Sequence, residues 1–442
     1  MIIKNFKEIG NTPLRKDALE VLVAGVESVM PNEILPKYVN YREGVLTIKN
    51  DRFEIKNNLY VLGCGKAVGL MANIIEKIIP PEKITAGIVN SINKFPTQKI
   101  IINEASHPIP DERGLYGVKK FFELIKEIKP KDTVICLFSG GGSALLPDPP
   151  QGISLNDLRD MTELFIKSGA ETYEINIVRK HISTLKGGHL AKILQPSKVI
   201  SLIISDDLDG REDTASRPTT YEDSNFKDAY DITKKYNLLK KIPPTIKNFL
   251  ERGLRHEIPE NPKKQELFFK NVHNYILADN KTALNAMAEK TNSLGFKTYV
   301  FCETIKGETK ISAKRMGELF RKYKLEKEPL AILYSAETVV NVTGNGEGGR
   351  VQEFIASVIE DISFGKNSVI AAIGSDGQDF IPGVGGAIAD NETYSILKKK
   401  GLHIKPFLDN NNTYELHKPL NNLIFMNPTN TNVGDLFVYL QK

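Results

Sequence analysis

The chain has no tryptophan, only three cysteines and only seven histidines in 442 residues. Nothing follows from the missing tryptophan. Cys64, Cys136 and Cys302 are odd in number and far apart. That excludes a disulfide framework and a cysteine zinc site, and it predicts reduced thiols. No histidine has the spacing of a metal site. No apolar run approaches the length that crosses a bilayer, and residues 1–7 lack the apolar core of a signal peptide. A cytoplasmic protein with no membrane contact is therefore expected. A charge excess of one sign is also missing. The formal net charge is +5, with lysines dispersed among glutamates, which argues against nucleic-acid partners. Two nucleotide signatures are absent as well. There is no G-x-x-x-x-G-K-[ST], and Gly63-x-Gly65 is followed by Gly69, one residue too late for G-x-G-x-x-G.

What is present is a chain long enough for two domains, with 41% hydrophobic residues to fill their cores. It repeats one theme, an apolar strand followed by a polar or glycine-rich loop. The apolar run that starts at residue 132 leads into Ser139-Gly140-Gly141-Gly142-Ser143. Glycines leave backbone N–H groups unobstructed, and the two serines add donors. That is the chemistry of a phosphate or carboxylate cradle, although such a turn also serves simply to turn the chain. A strand at 59–62 leads into Gly63-Cys64-Gly65-Lys66-Ala67 and a helical pattern over 68–79. A lysine there offers an anion a point charge beside backbone donors. A strand at 199–204 leads into Ser205-Asp206-Asp207-Leu208-Asp209-Gly210. These carboxylates suit Mg²⁺ or a catalytic base, or a solvated capping turn.

The second half continues the theme. A strand at 338–342 precedes Thr343-Gly344-Asn345-Gly346-Glu347-Gly348-Gly349-Arg350 and a helix at 351–359. A cation at a helix start opposes the helix dipole unless an anion compensates, so Arg350 is expected to hold a phosphate. Strands at 369–373 and 423–426 precede Gly374-Ser375-Asp376-Gly377-Gln378-Asp379 and the polar run 427–435. In open α/β sheets the edge where such loops lie is where ligands bind.

An amphipathic helix is expected at 17–29, with Leu19, Leu22, Val23, Val26 and Val29 as core. The alternation that follows implies parallel sheet and crossover helices. Residues 1–250 are read as one α/β domain and 251–273, rich in proline and charge, as a linker or excursion. Residues 274–442 are read as a second α/β domain. Both are expected to be Rossmann-like, with parallel or mixed sheets flanked by helices.

The ordered set of motifs is Gly65-Lys66-Ala67, the Ser139–Ser143 loop, Asn176 with Arg179-Lys180-His181 and Lys186-Gly187-Gly188, Ser205-Asp206, Ala215-Ser216, Pro218-Thr219, Glu337-Thr338, Gly348-Gly349-Arg350 with Gln352-Glu353, Asp376-Gly377 and Thr431-Asn432-Val433. It resembles the glycerate 2-kinase family, whose C-terminal part is called the MOFRL domain. The resemblance implies transfer of the γ-phosphoryl of ATP to the 2-hydroxyl of D-glycerate, giving 2-phosphoglycerate. It implies two α/β domains with the active site in the cleft between them. Lys66, Asp206 and Arg350 match catalytic positions. Lys66 and Arg350 would stabilise the phosphoryl oxygens or the glycerate carboxylate. Asp206 would accept the hydroxyl proton or hold Mg²⁺.

On the same reading Ser139, Gly140, Gly141, Gly142 and Ser143 cradle an anionic group, joined by His107, Arg179 and Lys186. Glu337, Gly346, Gly348, Gly349, Asp376, Asp379, Thr431 and Asn432 fall to the nucleotide, and Asp206 and Asp376 to the metal. ATP and Mg²⁺ or another divalent cation are the expected cofactors, and a monomer or homodimer the expected assembly. A structural, hydrogen-bonding role for His107 stays open. So does a solvated face for the basic stretch around Lys186.

Several ligand loops depart from the family pattern. Arg217 stands where the family has glycine in Ala-Ser-Gly-Pro-Thr. Ser335-Ala336 replaces Gly-Gly before Glu337-Thr338. Asn430 replaces glycine before Thr431. The family's Thr-Asp-Gly-Ile-Asp-Gly-Pro-Thr-Asp becomes Ser375-Asp376-Gly377-Gln378-Asp379-Phe380-Ile381-Pro382-Gly383. Two rival readings remain. A hydroxypyruvate-reductase-type oxidoreductase is opposed by the missing dinucleotide fingerprint. A non-catalytic sensor of small anions or nucleotides on the same fold is opposed by the retained Lys66, Asp206 and Arg350.

Overall fold

A computed structural model describes residues 2–207, 213–301, 303–323, 328–364 and 367–442. Cys302 and the Leu208-Asp209-Gly210 end of the aspartate loop lie outside the described residues. The chain divides into two units, one of residues 31–277, the other of residues 1–30 with 278–442.

The unit of residues 31–277 is built on a six-stranded sheet. Its order is Ile100–Glu104, Ala86–Ser91, Leu59–Cys64, Thr133–Ser139, Lys198–Ile204 and Val272–Ala278. The first five strands run parallel. In chain order this is the 3-2-1-4-5-6 arrangement of a doubly wound fold, and the order reverses between Leu59–Cys64 and Thr133–Ser139. Those two strands are buried along their whole length, which is why they read as continuous apolar runs rather than alternating ones. Leu62, Cys136 and Phe138 pack beneath the helix Glu112–Ile125. A helical region, including Leu155–Lys167, Thr172–His181, Phe226–Lys235 and Pro244–Leu254, closes around Phe165, Phe226, Ile246 and Leu250. Ser154 and Asn225 start two of these helices with capping boxes. A small antiparallel meander, Val39–Arg42, Val45–Ile48 and Asp51–Glu54, has no counterpart in the sequence expectations.

The other unit holds a seven-stranded mixed sheet, in the order Lys297–Val300, Leu330–Val339, Asp435–Gln441, Ser368–Gly374, Val384–Asp390 and Leu423–Phe425. The strand Ile305–Glu308 pairs parallel with Leu330–Val339, and Asp435–Gln441 is antiparallel to both of its neighbours. Helix Arg350–Ser363 covers the sheet through Phe354, whose ring lies 4.7 Å from Phe437, and Tyr334 stacks on Phe437 at 4.8 Å.

The unit boundaries differ from the expected ones at both ends. The first thirty residues belong with the C-terminal sheet. Asn5 donates to the Leu423 carbonyl at 2.9 Å and accepts from the Phe425 N–H at 3.0 Å, and Arg15 pairs with Asp390 at 2.8 Å. The expected helix at 17–29 is Pro13–Glu27, N-capped by Thr12, with Val23 only half-buried. Its Gly25 is required by packing: a Cβ there would stand 2.7 Å from Met287 Cγ. Residues 251–273, expected as a linker or excursion, do not link the units but belong to the unit of residues 31–277. Asn261 binds His189 at 3.1 Å, Glu260 accepts from the Phe226 N–H at 3.1 Å, and Lys263 donates to the Ser224 carbonyl at 2.6 Å. The strand Val272–Ala278 then completes the first sheet instead of opening the second. No described helix is long and apolar enough to cross a membrane.

Candidate active site

At the reversal point of the six-stranded sheet, two loops are bolted together. The Lys66 N–H donates to the Gly140 carbonyl at 2.9 Å, and the Ala67 N–H donates to the Ser139 hydroxyl at 3.0 Å. Gly65 could not carry a side chain here, because a Cβ would stand 2.2 Å from Ser139 Oγ. Ser139 is wholly buried, so its hydroxyl is a bolt of the scaffold rather than an exposed cradle donor. Gly141 is left-handed, with φ 80°, and begins the short helix Gly142–Leu145, which has no side-chain cap. A Cβ at Gly141 would meet His107 Cδ2 at 2.9 Å and Lys66 Cγ at 3.0 Å. Lys66, His107 and the glycine loop are thus brought to one place. Cys64, beneath them, is buried with its thiol pushed up to about 12, which fits packing and not nucleophilic chemistry.

The neighbouring segment is strained. Ala215, Ser216 and Arg217 all have positive φ, at 53°, 57° and 55°. Each such residue costs on the order of 1–3 kcal/mol, and these conformations concentrate at functional sites. The segment is held from several sides. The carbonyls of Ser216 and Arg217 accept from Gly187 and Gly188 at 2.9 and 2.8 Å, and Ser216 shares a 2.6 Å hydrogen bond with Ser143. Ser205 and Asp207, on either side of Asp206 at the end of the strand Lys198–Ile204, tie to the residues just before that segment: Ser205 binds Thr214 at 2.8 Å, and Asp207 accepts from the Asp213 N–H at 3.1 Å.

Beneath lies an ionic cluster. Lys180, fully buried, pairs with Asp213 at 2.8 Å and Glu222 at 2.6 Å. Arg179 is half-buried, and burial pushes its guanidinium down to about 10, only partly offset by Asp213. A cation so poorly compensated gains from a bound anion. Lys186 differs. Its ammonium is buried against Asp148 and donates to the Leu146 carbonyl at 2.5 Å. The anion expected at Lys186 is therefore Asp148, inside the protein.

The same correction applies to Arg350 in the other unit. Its guanidinium makes a two-point pair with Asp435, at 2.5 and 2.9 Å. The helix it begins is capped by Asp379, whose carboxylate accepts the N–H groups of Val351 and Gln352 at 3.0 and 2.8 Å. Asp379 is thus committed to a helix end and is no open metal ligand. Burial pushes its carboxyl up to about 6 despite those bonds. The compensating anions that the sequence argument demanded are these two carboxylates, and Arg350 keeps 46% exposure of its side chain.

The glycine-rich loop before Arg350 lies against residues 410–413. A Cβ at Gly344, Gly346 or Gly348 would fall 2.5, 2.3 or 2.1 Å from that segment. Asn411 accepts the N–H groups of Thr343 and Gly344 at 2.8 and 2.9 Å. Asn410 takes Asn345 at 3.0 Å through its side chain and Gly346 at 2.9 Å through its carbonyl, and Asn412 takes Glu347 at 3.1 Å. Gly346 therefore has no backbone donor left for a nucleotide. The Asn410-Asn411-Asn412 tripeptide was missed in the sequence because it reads as a solvated turn. Thr431 is buried, and its hydroxyl donates to the Val29 carbonyl at 2.7 Å, a structural bond. Asp376 accepts from the Gln378 N–H at 3.1 Å; it is half-buried just after the strand Ser368–Gly374, Glu337 is half-buried within Leu330–Val339, and Asn432 is half-buried in the loop before Asp435–Gln441. Among the described residues no group of three or more His, Cys, Asp or Glu side chains is placed to hold a metal ion.

The comparisons agree with this architecture. The family described as Domain of unknown function (DUF4147) matches residues 17–251, and the MOFRL family matches residues 330–435. A protein of Pyrococcus horikoshii named Glycerate 2-kinase is 35% identical over 99% of this chain and 98% of its own. A Thermotoga maritima protein named D-glycerate 2-kinase is 30% identical over 97% and 98%. A crystal structure of glycerate kinase from Thermotoga maritima superposes with a TM-score of 0.79, at 29% identity, covering 97% of this chain and 99% of that one. Relatives named putative hydroxypyruvate reductase also occur. With two families matched over residues 17–251 and 330–435 and relatives named glycerate 2-kinase at 30–35% identity over almost the whole chain, the chain belongs to the glycerate 2-kinase family.

Proposed function

We propose that the protein transfers the γ-phosphoryl group of ATP to the 2-hydroxyl of D-glycerate. The observation that carries this reading is the convergence of Lys66 and His107 on Gly141 at the reversal point of a doubly wound sheet. Phosphoryl transfer needs positioning and charge neutralisation more than covalent chemistry. Lys66 supplies a point charge beside the glycine loop. Arg179 offers its under-compensated charge to the glycerate carboxylate. Asp206 would accept the hydroxyl proton or hold Mg²⁺, with Asp376 as the second candidate ligand. Mg²⁺ bound through one or two carboxylates and the phosphates needs no closed protein cage, so half-buried single aspartates fit it. When bound, it neutralises phosphate charge. Arg350, pre-oriented by Asp435, presents a planar cation to phosphate or carboxylate oxygens.

The position phosphorylated belongs to the proposal. Relatives are named 2-kinases, whereas the Thermotoga structure carries the class number of the 3-phosphoglycerate-forming reaction. The kinase reading is tested by ATP consumption that depends on D-glycerate. Oxidation of NAD(P)H by hydroxypyruvate, without ATP consumption, would favour the oxidoreductase instead.

A further inference from the structure

Phe380 is 87% exposed, the most exposed large hydrophobic side chain among the described residues. It also has a φ of 64°, a conformation that a bulky residue rarely adopts. The two costs coincide at one position. The turn is well tied down: Ile381 donates to the Asp379 carbonyl across Phe380 at 2.7 Å, Asp379 donates to the Val384 carbonyl at 2.7 Å, and Val384 donates back to Ile381 at 3.1 Å. The ring is therefore held out on a fixed γ-turn of the strained, positive-φ kind. Its neighbour Asp379 caps the Arg350 helix and lies against Gly349, where a Cβ would stand 2.2 Å from the Asp379 carboxyl carbon. The family pattern has glycine at this position, which suits the backbone. This chain keeps the backbone and adds an aromatic face.

We propose that Phe380 is the platform on which the flat base of the donor nucleotide stacks. The proposal rests on the reading of the chain as an ATP-dependent kinase. An exposed ring on a turn whose backbone is tied down, next to the Asp379 carboxylate that lies against Gly349 of the candidate nucleotide loop, offers a base a face that leaves water when covered. The experiment uses the absence of tryptophan, since Phe380→Trp creates the sole indole in the chain. Titration of that variant with ADP should change its emission saturably, and pyrophosphate, which has no base, should not. By calorimetry, Phe380→Ala should weaken ADP binding by roughly three- to tenfold, and Phe380→Tyr should restore it. The KM for D-glycerate should stay unchanged in both. If wild-type protein binds ADP and Phe380→Ala binds it equally well, the platform is overturned while the kinase reading stands. A change in oligomeric state of Phe380→Ala with unaltered ADP affinity would assign the ring to a protein contact and also overturn it. Wild-type protein that neither binds nor consumes adenine nucleotide would remove the kinase reading and the proposal together.

Discussion

Arg350 and Asp435 are joined by two hydrogen bonds, 2.5 Å from Nε and 2.9 Å from Nη2, with Asp435 almost wholly buried and Arg350 half-exposed. The buried carboxylate fixes the plane of the guanidinium and holds its pKa above the ordinary arginine value, chiefly by charge. Arg350→Lys keeps the charge and loses the planar fork. Its kcat/KM should fall by about a hundredfold or more. Wild-type kinetics in that variant would mean that a point charge is enough.

Lys66 and Asp206 are separated by chemistry. Lys66→Ala should lower kcat/KM by about a hundredfold, with an unchanged melting temperature, because its side chain lies against a glycine loop and not in a core. Asp206→Asn preserves shape and removes charge. It should depress kcat far more than ATP affinity, and a wild-type turnover would end the role proposed for that carboxylate.

Lys186 should behave as a structural residue. Lys186→Met strands the buried Asp148, which also accepts from the Thr184 N–H at 2.9 Å and the Leu185 N–H at 2.5 Å. The expected loss is about 3–5 kcal/mol of stability in chemical denaturation. A stable variant with a raised KM for glycerate would return Lys186 to the substrate.

Acid should act on the second unit through His417, which is fully buried with Nε2 2.9 Å from the Gln352 carbonyl. Burial pushes its imidazole from 6.5 down to about 4, so its contribution to stability is present above pH 6.5 and is lost as pH falls towards 4. Asp379 runs the other way. Burial raises it from 3.8 to about 6, so its contribution is present below 3.8 and is lost as pH rises through 6. Between these limits the two oppose each other. His417→Gln removes only the first, so this variant should lose less stability than wild type on acidification, by up to about 3 kcal/mol. Parallel stability curves would show that His417 does not titrate in this window.

Most strands and their loops were legible because each buried strand is an apolar run stopped by glycine or a polar cluster, but the strand expected at 338–342 runs instead over Leu330–Val339, with Val342 exposed beyond its end. Their partners were not. A helix pattern at 17–29 shows which face is buried but not what covers it, and Asn5 meets Leu423 across 418 positions. Lys186 and Arg350 each face an anion, as a buried or helix-start cation must. Sequence alone did not reveal that those anions are Asp148 and Asp435 of the same chain. Arg217 and Phe380 conceal left-handed backbone behind side chains that seldom adopt it, and only the family's glycines at those positions point to it. Asn410, Asn411 and Asn412 look like solvent-facing residues, yet they hold the glycine-rich loop.

The most direct test of the account is phosphorus NMR of the product formed from D-glycerate, ATP and Mg²⁺ by the purified protein. The account predicts a D-glycerate-dependent phosphomonoester identified as 2-phosphoglycerate, strongly reduced in Lys66→Ala. Formation of 3-phosphoglycerate would contradict the assigned position, and the absence of any phosphoglycerate would contradict the kinase itself.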